Sequence, residues 1–225
     1  MNADETDLKL KWPSTGILAG PSFSGKTSLI IELIKRRQEV FSKNVDRVIY
    51  LCKQGQKVLE DLQQQDKDVI LIDNFDQLDN FMIENSLIII DDFLLEVSGI
   101  YNQKVTEFFI RRSHHSQLSC WLLTQNPYGR NLRTISINAT YFCFFKQPKD
   151  ISTIFHIARQ FCPHNINYLY ESYRAATARA NGYLFFDYHQ STSDQFRVRN
   201  CLFNEPYLEF YVENGKSKIK CSFSK

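Results

Sequence analysis

Six short apolar runs punctuate the first two thirds of the chain: Gly16–Ala19, Arg47–Cys52, Val69–Ile72, Leu87–Ile90, Cys120–Thr124 and Tyr141–Phe145. Each is rich in Ile, Val, Leu, Tyr or Phe and is bounded by turn-forming or polar residues, the pattern of buried strands. Their hydrophobicity is continuous, not alternating, which predicts parallel strands covered on both faces. Between the first two, Lys26 to Phe41 places Leu29, Ile30, Leu33, Ile34 and Val40 on a broad apolar stripe. Glu32, Lys35, Arg36, Arg37 and Gln38 fall largely elsewhere, so this segment reads as an amphipathic helix. Tyr101–Ser113, Ile151–Phe161 and Asn165–Ala180 also read as helices, with Asp150 as the N-cap of the second. After Asn181-Gly182 the pattern changes to "YLFFDYH", a turn-like "QSTSD", then "FRVRNCLF" and "LEFYV", which predicts an antiparallel β annex.

Length narrows this to one domain, since 225 residues with 43% apolar content can bury a single core. The expected divisions are an N-terminal extension (1–13), an α/β core (14–180), the β annex (181–213) and a polar tail (214–225). Charge adds little: 27 Lys plus Arg against 25 Asp plus Glu leaves a net +2, so any nucleic-acid surface must be local. Six cysteines without a CxxC pair, and an N-terminus without an apolar h-region, point to a reduced intracellular setting and not to secretion. No apolar run approaches the ~18 residues that a membrane span needs.

Chemistry enters at "GPSFSGKT", which matches GxxxxGK[ST] after a short strand and before an amphipathic helix, the context that gives the motif meaning. Gly20 and Gly25 permit backbone conformations that let consecutive N–H groups of the loop converge on the β-phosphate, and the helix N-terminus adds partial positive charge. The expected nucleotide-binding residues are Gly20, Pro21, Ser22, Phe23, Ser24, Gly25, Lys26, Thr27 and Ser28. Lys26 would bridge the β- and γ-phosphates of ATP, and the Thr27 hydroxyl would ligate Mg²⁺. Phe23 is large for such a loop.

"NSLIIIDDF" delivers Asp91 and Asp92 to the end of a central strand, where ligands bind in such sheets. This looks like a Walker B motif: Asp91 holds Mg²⁺, through water, and Asp92 orients and deprotonates the attacking water, with Glu96 as the other candidate for that task. "LSCWLLTQN" ends a further strand in Thr124, Gln125 and Asn126, whose amides can sense the γ-phosphate and the lytic water. A strand of this kind lying between the phosphate-loop strand and the acidic-pair strand separates ring-forming motor ATPases from GTPases and nucleotide kinases. No guanine-reading NKxD occurs. The expected fold class is therefore α/β, a P-loop NTPase of the ASCE/RecA-like type with a mainly parallel sheet and the antiparallel annex.

The order "GPSFSGKT … LIIIDDF … RRSHHSQLSCWLLTQN … LRTISINATYFCFFKQPKD … IARQFCP … NGYLFFDYHQSTSDQFRVRNCLF" resembles the FtsK–HerA superfamily of DNA-pumping ATPases. The likeness is to its viral genome-packaging branch, of the poxvirus type found in adintoviruses and Polinton/Maverick elements, and it covers about Gly16 to Phe203. The chain departs from that pattern at Phe93-Leu94, where the family has Leu-Met, and at Lys146-Gln147-Pro148-Lys149-Asp150, where a packaging "KNPRD" is usual.

The resemblance implies an ATPase that forms a hexameric or pentameric ring around double-stranded DNA and drives it into a capsid. Partners would be that DNA, further copies of the chain, and a capsid or portal protein, in the host nucleus or at a viral assembly site, or associated with the virion. A ring asks for an arginine acting in trans on the neighbour's γ-phosphate. Arg130, Arg133 and Arg159 are candidates, with Arg133 of "LRT" and Arg159 of "ARQ" preferred. DNA contact would be through phosphates and salt-sensitive, from a pore-facing loop at Glu96–Gln103 followed by Lys104. Arg111-Arg112 reads as a solvated helix face or as a DNA or neighbour contact. His114-His115 lacks the ligand spacing of a zinc site. A DNA helicase or segregation pump without a capsid, and a nucleotide-gated scaffold, are the alternative functions.

Overall fold

The computed structural model describes residues 8–53, 56–91, 93, 97–112, 117–129, 131–203, 208–213 and 219–220. Asp92, Glu96, His114, His115 and Arg130 lie outside the described residues, as do the side chains of Arg111 and Arg112.

The six expected strands form as β1 (Thr15–Ala19), β2 (Arg47–Leu51), β3 (Val69–Ile72), β4 (Ser86–Ile90), β5 (Ser119–Thr124) and β6 (Tyr141–Phe145). They pair in parallel in the order β6-β1-β5-β4-β2-β3. Burial on both faces explains their unbroken hydrophobicity. Successive side chains point to opposite sides of the pleat, so Leu87 and Ile89 enter one core and Ile88 and Ile90 the other.

Helices complete the two outer layers. On one face lie α1 (Lys26–Lys35), α2 (Arg37–Val40) and α3 (Lys57–Gln65), through Leu29, Leu33, Val40, Leu59 and Leu62. The other face carries α4 (Leu78–Phe81), α5 (Asn102–Glu107), α6 (Arg133–Ile137), α7 (Ile151–Phe161) and α8 (Ile166–Ala176), through Leu78, Val105, Ile135, Ile157 and Leu169.

Several boundaries differ from the sequence expectation. Lys26–Phe41 is not one helix: Arg36 (φ −101°, ψ 16°) breaks it, turning α2 so that Arg37 reaches Asp66 beyond α3. The helix expected from Tyr101 begins at Asn102 and widens into a π-turn at Phe108–Arg112. Ile151–Phe161 matches, and Asp150 accepts a hydrogen bond from the Thr153 amide as its cap. The Asn165–Ala180 helix is Ile166–Ala176, capped by Asn165.

The annex is not a separate layer. β7 (Tyr183–Asp187) pairs antiparallel with β6, and β8 (Val198–Arg199), β9 (Glu209–Tyr211) and β10 (Ile219–Lys220) continue the same ten-stranded sheet of the described residues. The tail thus supplies a strand. At the other terminus, Leu8, Leu10 and Trp12 are buried, and Leu10 bridges to Phe41, so the N-terminal segment from Leu8 is part of the core.

Candidate nucleotide site

Parallel strands deliver their C-terminal ends to one edge of the sheet, and the motifs collect there. A cleft of about 580 Å³ lies at that edge, lined by Ser22 to Ser28 together with Asp91, Leu123, Thr124, Gln125, Gln56 and Asn181.

The phosphate loop is shaped by its glycines. A Cβ at Gly20 would stand 2.6 Å from Phe145 Cβ, so the loop can lie against the end of β6 only without a side chain there. The Gly20 amide donates to the Thr124 carbonyl at 3.1 Å, which ties the loop to β5. Gly25 caps α1 at φ 102°, a conformation that L side chains resist. No acidic residue occupies the first turn of α1, so the partial positive charge of its N-terminus is not neutralised there.

Lys26 Nζ donates to the Gly20 and Pro21 carbonyls at 2.8 and 2.9 Å, folding its cation across the loop. Ser24 Oγ is buried without a hydrogen-bond partner among the described residues, a polar atom left over inside the loop. These donors and the left-handed glycine suit a polyphosphate: Lys26, Ser24 and the loop amides would hold it. Phe23 also adopts a positive φ, 63°, and its ring projects fully into solvent.

Thr27 Oγ1 lies 3.5 Å from Asp91 Oδ2, so the hydroxyl and carboxylate expected to bind Mg²⁺ do meet. A hard cation that keeps much of its water shell fits a site with one carboxylate and one hydroxyl beside phosphates. Together they would supply charge neutralisation at the transferred phosphoryl group. Asp91 is 8% exposed. Its Oδ2 also accepts a 2.7 Å hydrogen bond from the Tyr50 hydroxyl. Burial first, and then the neighbouring Asp91 charge, push the Tyr50 hydroxyl well above the usual tyrosine value, so it remains a donor. The adjoining Cys52 thiol is likewise pushed up by burial and by Asp91 and Asp73, which keeps it neutral.

β5 stands between β1 and β4, the strand arrangement the polar strand end implied. Gln125 lines the cleft and points its Nε2 at Ser22 Oγ, 3.5 Å away. Asn126 does not line it. Its Oδ1 accepts the Tyr128 amide at 2.9 Å, and its backbone pairs with Thr124 Oγ1, so this side chain shapes the turn that leaves β5.

The two preferred arginines lie away from the cleft. Arg133 opens α6 and Arg159 sits near the end of α7; both are exposed and form no ion pair with any described residue. Their neighbours hold the loop after β5: Ser136 donates to the Pro127 carbonyl, and Tyr128 donates to Gln160 at 3.2 Å. Tyr141, Phe142, Phe144 and Phe145 are buried in the sheet, as their reading as core requires.

Three residues of the site escape a linear reading. Gln56 precedes α3 and Asn181 belongs to a turn, and neither has a motif to mark it. Tyr50 reads as one apolar strand residue among several. Among the described residues, no helix is long and apolar enough to cross a membrane, and no group of three or more His, Cys, Asp or Glu could hold a metal ion.

A phosphate loop after β1, an acidic strand end on β4 and an intervening β5 define a P-loop NTPase fold of the RecA-like type. Solved structures share it. The DNA-packaging ATPase B204 from Sulfolobus turreted icosahedral virus superposes with a TM-score of 0.52 at 13% identity, over 79% of this chain and 94% of that one. The genome-packaging NTPase B204 from Sulfolobus turreted icosahedral virus 2, in complex with AMPPCP, gives 0.50 at 15% identity, over 80% and 94%. At such identities the likeness is one of fold. No family model matches the chain, and no curated protein matches its sequence.

Proposed function

We propose that this chain is an ATPase that translocates double-stranded DNA, packaging a viral or virus-like genome into a capsid as part of a ring. The observation that carries the nucleotide chemistry is the convergence of Lys26, Thr27, Asp91 and Gln125 on one cleft at the C-terminal edge of the sheet. ATP with Mg²⁺ is the substrate. Lys26 and the loop amides hold the phosphates, Thr27 and Asp91 hold the metal, and Gln125 reads the γ-phosphate. Asp92, next in sequence to Asp91, is the general base that takes the proton of the attacking water.

The packaging role rests on the sequence blocks shared with the FtsK–HerA packaging branch and on a fold shared with viral packaging ATPases. Arginines exposed outside the cleft suit a catalytic cation given to a neighbouring copy, with a capsid or portal protein as the further partner. The work would be done inside the host cell.

ATP hydrolysis with and without double-stranded DNA, on the wild type, Lys26→Ala and Asp92→Asn, tests the reading. The expected result is DNA-stimulated turnover that both substitutions abolish, with DNA binding that falls steeply as salt rises. Absence of hydrolysis in the wild type at every protein concentration, with DNA present, would overturn it.

A further inference from the structure

We propose that Tyr50 is the positioning residue of the metal site: its hydroxyl fixes the Asp91 carboxylate in the orientation that receives the divalent cation. The proposal rests on the reading of Asp91 as a metal ligand and extends it to a residue on a different strand.

Register places the two groups together. β2 and β4 are parallel with Tyr50 opposite Ile89 and Leu51 opposite Ile90, and the Asp91 amide continues the ladder by donating to the Leu51 carbonyl at 2.9 Å. On a pleated strand Ile89 and Asp91 share a face. A side chain beside Ile89 that extends past the strand end therefore arrives at Asp91, and tyrosine is long enough to do so. The Tyr50 side chain is fully buried, and its hydroxyl is 2.7 Å from Asp91 Oδ2.

Thr27 and Tyr50, both donors to that oxygen, differ in kind. Thr27 Oγ1 stands at 3.5 Å, the outer limit of a hydrogen bond, and leaves readily when its own oxygen is needed by a cation. The Tyr50 contact has the length of a good charge-assisted bond. Its phenol is anchored by the core around it. A carboxylate held in this way presents its remaining lone pairs in a fixed direction, which matters because Mg²⁺ tolerates little departure from octahedral geometry. Partners that orient a metal ligand in this manner typically control metal affinity by about tenfold or more.

Tyr50→Phe removes only the hydroxyl and keeps the ring in its place. Mn²⁺ binding to the full-length protein, followed by electron paramagnetic resonance in the presence of AMPPCP, reads the metal site without turnover. Binding of AMPPCP without metal reads the phosphate loop. The expected result is a half-saturating Mn²⁺ concentration about tenfold higher in Tyr50→Phe, with metal-free AMPPCP affinity unchanged. In Asp91→Asn the metal should also bind more weakly, and adding Tyr50→Phe to it should produce no further change.

An unchanged Mn²⁺ half-saturation in Tyr50→Phe, with Asp91→Asn still weakened, overturns the positioning role and leaves the metal site standing. Equal losses of metal-free and metal-bound AMPPCP affinity overturn it too, because they denote a general packing role. Unchanged Mn²⁺ binding in Asp91→Asn removes Asp91 from the metal site and the role of Tyr50 with it. Should Tyr50→Phe fail to fold, Tyr50→Met, a flexible apolar side chain with no hydrogen-bond donor to offer Asp91, is put through the same pair of measurements.

Discussion

The side-chain amide of Gln147 donates to the backbone carbonyl of Gln125 at 3.1 Å, joining the second residue after β6 to the first after β5. Gln147 is itself held, since its backbone N–H donates to the Tyr173 hydroxyl at 2.6 Å and that hydroxyl donates to the Phe145 carbonyl at 3.2 Å. Gln125 is thus steadied from behind while its side chain faces Ser22. Loss of one such hydrogen bond is worth about 1 kcal/mol. Gln147→Ala should therefore slow ATP turnover by roughly fivefold while leaving nucleotide affinity unchanged, in steady-state kinetics paired with equilibrium binding. Gln125→Ala should cost more, on the order of a hundredfold in turnover, as expected for removal of a donor at the reacting phosphate.

Gly20→Ala tests the loop. The added Cβ would meet Phe145 Cβ at 2.6 Å and Ser24 Oγ at 2.8 Å. Either β6 or the loop must shift, at a cost of about 1–3 kcal/mol by analogy with overpacked cores. A lowered thermal midpoint and weaker ATP binding are expected, measured by calorimetry with and without nucleotide. A conservative change at Ser22, exposed at the rim, should affect the midpoint far less.

The arginines make a prediction that only an assembly can satisfy. Arg133→Ala or Arg159→Ala should reduce turnover by at least about a hundredfold if that residue serves a neighbour's site. Mixing such a variant with Lys26→Ala, itself inactive, should then restore activity, because some interfaces regain both a working loop and a working arginine. Activity of the mixture across molar ratios checks this.

Asp150 gives a pH dependence with a defined sign. Hydrogen bonds from Ser152 and Thr153 lower its carboxyl below the ordinary aspartate value, and it caps α7. A carboxyl lowered on folding stabilises the protein above its unfolded value of about 3.9, and the contribution disappears as pH falls through the folded value. Asp150→Ala should cost about 1 kcal/mol at neutral pH, as for other N-caps. That difference from wild type should begin to shrink once pH falls below about 3.9 and go on shrinking as pH falls through the folded value, which denaturant titrations at a descending series of pH values from 7 would reveal.

The strands were legible because each is buried on both faces and reads as an unbroken apolar run, as in "LIII" of β4. The phosphate loop was legible because its chemistry depends on local spacing, and Asp91 because it ends such a strand. α3 and α6 were not visible: α3 buries only Leu59 and Leu62 among polar residues, and α6 is a five-residue turn. The break at Arg36 was hidden as well, since the residues on either side keep a helical pattern and the turn is set by where Arg37 finds Asp66. In the same way "QN" offered two amides, and the turn bonding of Asn126 separates its role from that of Gln125.

The sequence by itself determined which backbone can wrap a phosphate and which strands carry polar ends, because glycine freedom, helix capping and apolar runs act over a few residues. Only the tertiary structure decided which strands are neighbours and in what register. That choice sets Tyr50 against Asp91, Gln147 behind Gln125, and β7 onto β6 as a continuation of the sheet. Those contacts join residues distant along the chain, and their geometry comes from packing two helical layers on a single sheet, which no local spacing records.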